Sequence, residues 1–181
     1  MKKPELVFVT GNLNKLREAQ AILSEFNIIN HKLDLPELQG EPEDIAREKA
    51  KIAFKQIAKP CFIEDDSLGF KAWNWLPGPY IKDFTLKIGV ENIPSLLEGH
   101  DNSAKISCTI AYAKSESDIK IIRADIFGKI VSSAGDFGFD FDKIFMLDGD
   151  NIRFSQMSEE EKNKKSHRHK ALEMFKNYLL K

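Results

Sequence analysis

The chain has few cysteines, no excess of either charge and no long apolar run, and each lack removes a class of protein. Only two cysteines occur in 181 residues, Cys61 and Cys108. Two thiols cannot complete a zinc site by themselves, and a disulfide-stapled scaffold carries more. Both lie in apolar segments, so reduced core thiols of an intracellular protein are expected, with a disulfide between them as the alternative. Lysine plus arginine number 27 against 28 acidic residues, a formal net charge of -1. A sequence-independent nucleic-acid binder carries a basic excess, so no nucleic-acid partner is expected. A few local lysines still suffice for a small polyanion. The apolar run Leu6 to Val9 behind Met1-Lys2-Lys3-Pro4-Glu5 is too short for a signal-peptide core, and no run reaches bilayer length. A cytoplasmic protein with no membrane partner is the expectation.

What is present is ordinary for an enzyme: 42% hydrophobic and 30% charged residues. A chain of this length buries roughly 70% of its unfolded surface, enough for one domain spanning residues 1–181 without a structural metal. Leu6-Val7-Phe8-Val9 reads as a strand covered on both faces, ending at the turn residues Thr10-Gly11-Asn12. Leu16, Ala19, Ile22, Leu23 and Phe26 then recur at helical spacing. Ile45, Ile52, Ala53 and Ile57 mark a second helix, with Pro60 beyond its end. Cys61-Phe62-Ile63 is a short strand followed by Glu64, Asp65 and Asp66. Two prolines and a glycine in Leu76-Pro77-Gly78-Pro79 argue against regular structure from Trp73 to Tyr80. Ile106, Cys108, Ile110 and Tyr112 alternate as in a half-buried strand. A polar turn over Lys114 to Asp118 joins it to the apolar segment Ile119 to Ile130 as an antiparallel hairpin. Ser158 with Glu161 fits a capping box, and Ala171, Leu172, Phe175 and Leu179 form the stripe of a final helix. The pattern is α/β with a mixed sheet.

Four groups could carry chemistry. The turn Thr10-Gly11-Asn12 with Lys15 follows a buried strand and opens a helix, so its free backbone N–H groups and the helix dipole suit an anion. A plain capped helix reads equally from the same residues, and the glycine-lysine pair of a Walker A loop is absent. Glu64, Asp65 and Asp66 repel one another, so either they face solvent or a divalent cation gathers them; oxygen donors suit Mg²⁺. Both groups follow strands, where α/β sheets place ligands. Lys162 to Lys170 holds five lysines or arginines and two histidines in nine residues. That is a solvated face or a set of donors for a phosphate chain and a base. Phe137-Gly138-Phe139-Asp140 sets two aromatic rings beside a glycine and a carboxylate, for core packing or for stacking on a planar base.

In order along the chain these segments resemble the inosine triphosphate pyrophosphatase family, also called Ham1-like. Phe8-Val9-Thr10-Gly11-Asn12 with Lys15 is similar to its opening signature, and Asp34 to Pro42 to its second segment. Glu64-Asp65, Leu76 to Lys82, Phe137 to Asp140, and Lys162-Asn163 through Ser166-His167-Arg168 complete the set. The resemblance implies a long mixed sheet with flanking helices, two lobes around a central cleft, and a homodimer. It implies hydrolysis of ITP, dITP and XTP to the monophosphate and pyrophosphate with Mg²⁺, or with Mn²⁺ in its place. Position by position, Thr10, Gly11, Asn12 and Lys15 would hold the triphosphate, and Lys49 and Lys162 would neutralise phosphate oxygens. Glu37 and Asp65 would bind the metal, with Asp65 positioning or activating water and Lys162 assisting catalysis. Phe137, Gly138, Phe139, Asp140, His167 and Arg168 would form the base pocket. Arginine only donates, so Arg168 could satisfy a 6-oxo group and not a 6-amino group. The chain departs from the family at Asp66, where threonine or serine is common, and at Phe139, where tyrosine or tryptophan is usual. After Asp140 it reads Phe141-Asp142-Lys143-Ile144-Phe145, with two extra residues. A related pyrophosphatase of the Maf-like group and a nucleotide-binding regulator without catalysis are the competing readings. Ser166-His167-Arg168 disfavours the first, and the set Glu37, Lys49, Asp65 and Lys162 disfavours the second.

Overall fold

The computed structural model describes residues 2–135 and 140–181, with Asp140 described in its backbone only. Among the described residues the strands and α-helices are, in chain order, β1 Glu5–Val9, α1 Leu13–Ile22, β2 Asn27–His31, α2 Pro42–Ile57, β3 Cys61–Phe70, β4 Pro77–Gly78, α3 Ile81–Ile88, α4 Ile93–Leu96, β5 Ser103–Ala113, β6 Ile119–Ile130, β7 Phe145–Leu147, α5 Glu159–Lys165 and α6 His167–Leu179. The strands form one sheet in the order β2-β1-β3-β5-β6-β7, with β4 paired to β3. β1 runs parallel to both β2 and β3, whereas β4 on β3 and β7 on β6 are antiparallel. The sheet is therefore mixed, as expected. β5 and β6 are joined through the expected turn, closed by a 2.9 Å hydrogen bond from Lys114 N–H to the Asp118 carbonyl.

Contacts divide the chain into two compact units. One comprises Met1–Asp65, Cys108–Ala124 and Arg168–Lys181; the other comprises Asp66–Ser107 and Asp125–His167. In the first, strand alternation sends Leu6 and Phe8 to one side of β1 and Val7 and Val9 to the other. Leu6 and Phe8 join Phe62, Cys108 and Ile110 in a core closed by α1 and α6, where Ala19, Leu23, Leu172 and Phe175 are buried. Phe8 and Phe62 stack with ring centroids 4.2 Å apart. Val7 and Val9 join Cys61, Ile63, Ala111 and Ala113 in a second core closed by α2. The buried face of α2 is Ile45, Ala46, Ala50 and Ala53, a stripe mostly of alanines that lets the helix lie close on the sheet. Of the stripe read from sequence, Ile45 and Ala53 are on it; Ile52 and Ile57 are only partly buried. Cys61 and Cys108 are free buried thiols, and burial pushes the Cys61 thiol up to about 11.

The second unit packs Leu68, Phe70, Ile106, Ile126, Ile130, Phe145 and Phe154 with Ile81, Ile93 and Leu97 from α3, α4 and its flank. Two sequence expectations need correction. The stretch Trp73 to Tyr80 is not wholly irregular, since β4 pairs Pro77 and Gly78 with Gly69 and Leu68 of β3. Gly69 permits this approach: a Cβ there would lie 2.3 Å from the Trp75 carbonyl oxygen. Nor is β5 half-buried, because residues 106–111 are buried on both faces. Among the described residues no helix is long and apolar enough to cross a membrane.

Candidate active site

The site begins at the turn after β1. Asn12 is the N-cap of α1, and its side-chain oxygen accepts from the backbone N–H of Asn14 at 2.9 Å and of Lys15 at 3.3 Å. The Thr10 hydroxyl accepts from Asn12 N–H at 3.1 Å. No acidic residue lies in the first turn of α1, so nothing on the helix itself offsets the positive end of its dipole. Gly11 is exposed, and a Cβ on it would come no nearer than 3.7 Å to Lys32, so the backbone there stands open.

The carboxylates do not follow a strand, as the sequence reading had them; they lie inside one. β3 runs on to Phe70, so Glu64, Asp65 and Asp66 are strand residues whose side chains alternate. Glu64 shares the face of Phe62, toward α1 and α6. It accepts from Arg168 Nε at 2.6 Å, and Lys15 Nζ stands 3.3 Å from the same oxygen. Arg168 Nη1 donates to Glu18 at 2.8 Å. Two cations thus meet two carboxylates, with the Glu64 side chain fully buried and that of Arg168 2% exposed. Asp65 shares the face of Ile63, toward α2, where Lys49 meets it. Lys49 Nζ donates to Asp65 Oδ2 at 2.9 Å and to Glu37 Oε2 at 3.0 Å. This cluster stays open: the Glu37 and Asp65 side chains are 59% and 25% exposed.

In the second unit Lys162 is buried and donates to Asp142 at 2.6 Å. The capping box expected at Ser158 and Glu161 forms and starts α5 three residues before it. Asp142 sits in the short 3-10 helix Asp140–Lys143, so the extra residues after Asp140 supply the lysine's counter-ion. His167 is buried, with Nε2 3.3 Å from Asp66 Oδ1 and its ring 6.2 Å from that of Phe141. Phe137, Gly138 and Phe139 lie outside the described residues.

The structure therefore brings together Thr10, Gly11, Asn12 and Lys15 in one turn, Lys15 and Arg168 on Glu64, and Glu37, Lys49 and Asp65 around one ammonium. Sequence reasoning missed Glu18, the anchoring role of Glu64 and Asp142. Glu18 lies three residues after Lys15, on the same helix face, which is the one local hint available. Asp142 stands between buried apolar residues, Phe141 and Ile144, where a carboxylate needs a partner.

Residues 6–178 match the Ham1 family. The chain belongs to the Ham1 family. An inosine triphosphate pyrophosphatase of Mycosarcoma maydis is 40% identical over 187 residues, covering 99% of this chain and 97% of that protein. The same named enzyme of Candida albicans is 40% identical over 197 residues, covering 97% and 98%. Among solved structures, a HAM1 protein from Coxiella burnetii aligns at 27% identity with a TM-score of 0.88, covering 98% of each chain. A nucleoside-triphosphatase described as a dITP/XTP pyrophosphatase, from Mycobacterium abscessus, aligns at 27% identity and 0.71, covering 94% of this chain and 98% of that one. The Ham1 fold is thus shared over essentially the whole chain.

Proposed function

We propose that this chain hydrolyses non-standard purine nucleoside triphosphates, ITP, dITP and XTP, to the monophosphate and pyrophosphate. The observation that carries the reading is the convergence of Glu37 and Asp65 on a single point, within 3.0 Å of one nitrogen, on the open face of β3. Relatives 40% identical over nearly their full length carry the name of that activity.

Two carboxylate oxygens near one point, with solvent beside them, fit a magnesium ion, which takes oxygen donors and keeps several waters. Glu37 and Asp65 would hold it, and manganese could replace it. When bound, it would offset charge on the phosphate oxygens and on the leaving pyrophosphate. The chain's own residues do the rest. The backbone N–H groups at Gly11 and Asn12, with Thr10 and Lys15, receive the phosphate chain at the start of α1. Asp65 positions or activates the attacking water. Lys49 and Lys162 supply cations where charge builds on the bridging oxygen. His167, with residues Phe137 to Asp140, meets the base. Arg168 keeps Nε and Nη1 on Glu64 and Glu18, so its contribution to base choice is made from a fixed guanidinium. Arg168→Lys removes that fixed donor plane, and the ITP-over-ATP ratio of kcat/KM is expected to fall about tenfold; an unchanged ratio places base selection elsewhere.

The test is incubation with ITP, XTP, GTP and ATP plus Mg²⁺, separating pyrophosphate from orthophosphate. ITP and XTP should give pyrophosphate in one step; orthophosphate as first product contradicts the proposal. A cytoplasmic homodimer is the state that the family resemblance implies, and sedimentation equilibrium checks the assembly.

A further inference from the structure

We infer that Lys49 makes this site select a metal–triphosphate complex over the bare metal ion. Its ammonium already occupies the position a divalent cation would take, 2.9 Å from Asp65 and 3.0 Å from Glu37. A cation arriving alone either displaces Nζ or sits against a like charge. The displaced ammonium would then lose both partners, although its side chain is only 12% exposed. Such a group is costly to strand without an anion.

A triphosphate changes both terms. Its oxygens give Nζ another anion, and its metal takes the oxygens that Nζ releases. Lysine suits the exchange: it is a compact charge on a flexible four-carbon stem, whereas a planar arginine fork would lock bidentate onto a carboxylate. The placement of Lys49 in the middle of α2, whose alanine face lies close on the sheet, fixes the stem's root while leaving the ammonium to move. Metal and nucleotide therefore raise each other's affinity, and thermodynamic linkage makes the factor equal in both directions. The alternative role, a passive tether between α2 and β3, predicts no tightening on the loss of Lys49, because untethered carboxylates bind metal no better.

The inference rests on the pyrophosphatase reading for the identity of the anion, but its first measurement needs no turnover. Free Mn²⁺ is titrated by electron paramagnetic resonance with the full chain, wild type and Lys49→Met, without nucleotide. The methionine variant should bind Mn²⁺ about tenfold more tightly or better. The α,β-methylene analogue of ITP should then tighten Mn²⁺ by a larger factor in wild type than in the variant. Equal or weaker Mn²⁺ binding by the variant overturns the inference, as does an equal response to the analogue. Should Lys49→Met not fold, Lys49→Gln, which keeps a donor and drops the charge, carries the same comparison with the same expected sign. Failure of wild type to release pyrophosphate from ITP would refute the functional reading and leave the metal titration standing.

Discussion

The two faces of β3 within the first unit hold nearly the same inventory of charge and use it differently. Toward α1 and α6, Glu64 meets Arg168 and Lys15, with Glu18 completing a balanced set around the buried Glu64 and Arg168 side chains. Toward α2, Asp65 and Glu37 share Lys49 in partial contact with solvent. Adjacent residues of one strand are thus placed in opposite dielectric conditions by alternation alone. A closed, neutral set resists change, since any partner removed leaves a buried charge. An open set with a mobile cation can exchange partners. The first suits anchoring the phosphate-loop helix, the second suits chemistry.

The comparison can be broken by substituting each face. The largest effect is expected from Asp65→Asn, which keeps the shape and removes the base: pyrophosphate release from ITP should fall about 10²- to 10⁴-fold, with the far-UV spectrum unchanged. Turnover near wild type would remove Asp65 from the chemistry. Glu64→Gln should act on stability instead, costing about 3 kcal/mol through the unpaired Arg168, or roughly 6–12 °C in a thermal melt. Lys49→Met, on the open face, should cost at most about 1 kcal/mol; a melt as low as that of Glu64→Gln would erase the distinction. Next comes Asn12→Ala, which removes two backbone hydrogen bonds at the α1 cap and should cost about 1 kcal/mol while raising the KM for ITP.

The remaining prediction is a pH slope from the core behind the open face, confined to alkaline pH. Burial pushes the folded Cys61 thiol up to about 11, from 9.0 for the free group. The folded state holds its proton longer, so the contribution present below the unfolded value is lost as pH rises through this window, by up to about 1.4 kcal/mol per unit. Urea midpoints between pH 8 and 10 should show a decline that Cys61→Ala removes.

Much of this arrangement was legible in the chain. The four-residue apolar run of β1, the Asn12 cap and the Ser158 capping box depend on neighbours, and all three stand as read. The extent of β3 was not legible, because charged residues are uncommon in strands and three in a row read as a loop. What holds them is remote: Arg168 lies 104 residues from Glu64 and 150 from Glu18. No local pattern announces such a partner. For the same reason the basic stretch Lys162 to Lys170 could not be divided in advance. Lys162 turns to Asp142, His167 to Asp66 and Arg168 to Glu18 and Glu64, three settings within seven residues. The departure at Asp66 also gains a place, as the acidic neighbour of a buried histidine.

The central claim is that the open face of β3 directs water at the α-phosphate. Hydrolysis of ITP in H₂¹⁸O with Mg²⁺, followed by mass analysis of both products, tests it most directly. The account predicts one ¹⁸O in the inosine monophosphate and none in the pyrophosphate. Label in the pyrophosphate, with none in the monophosphate, would contradict it.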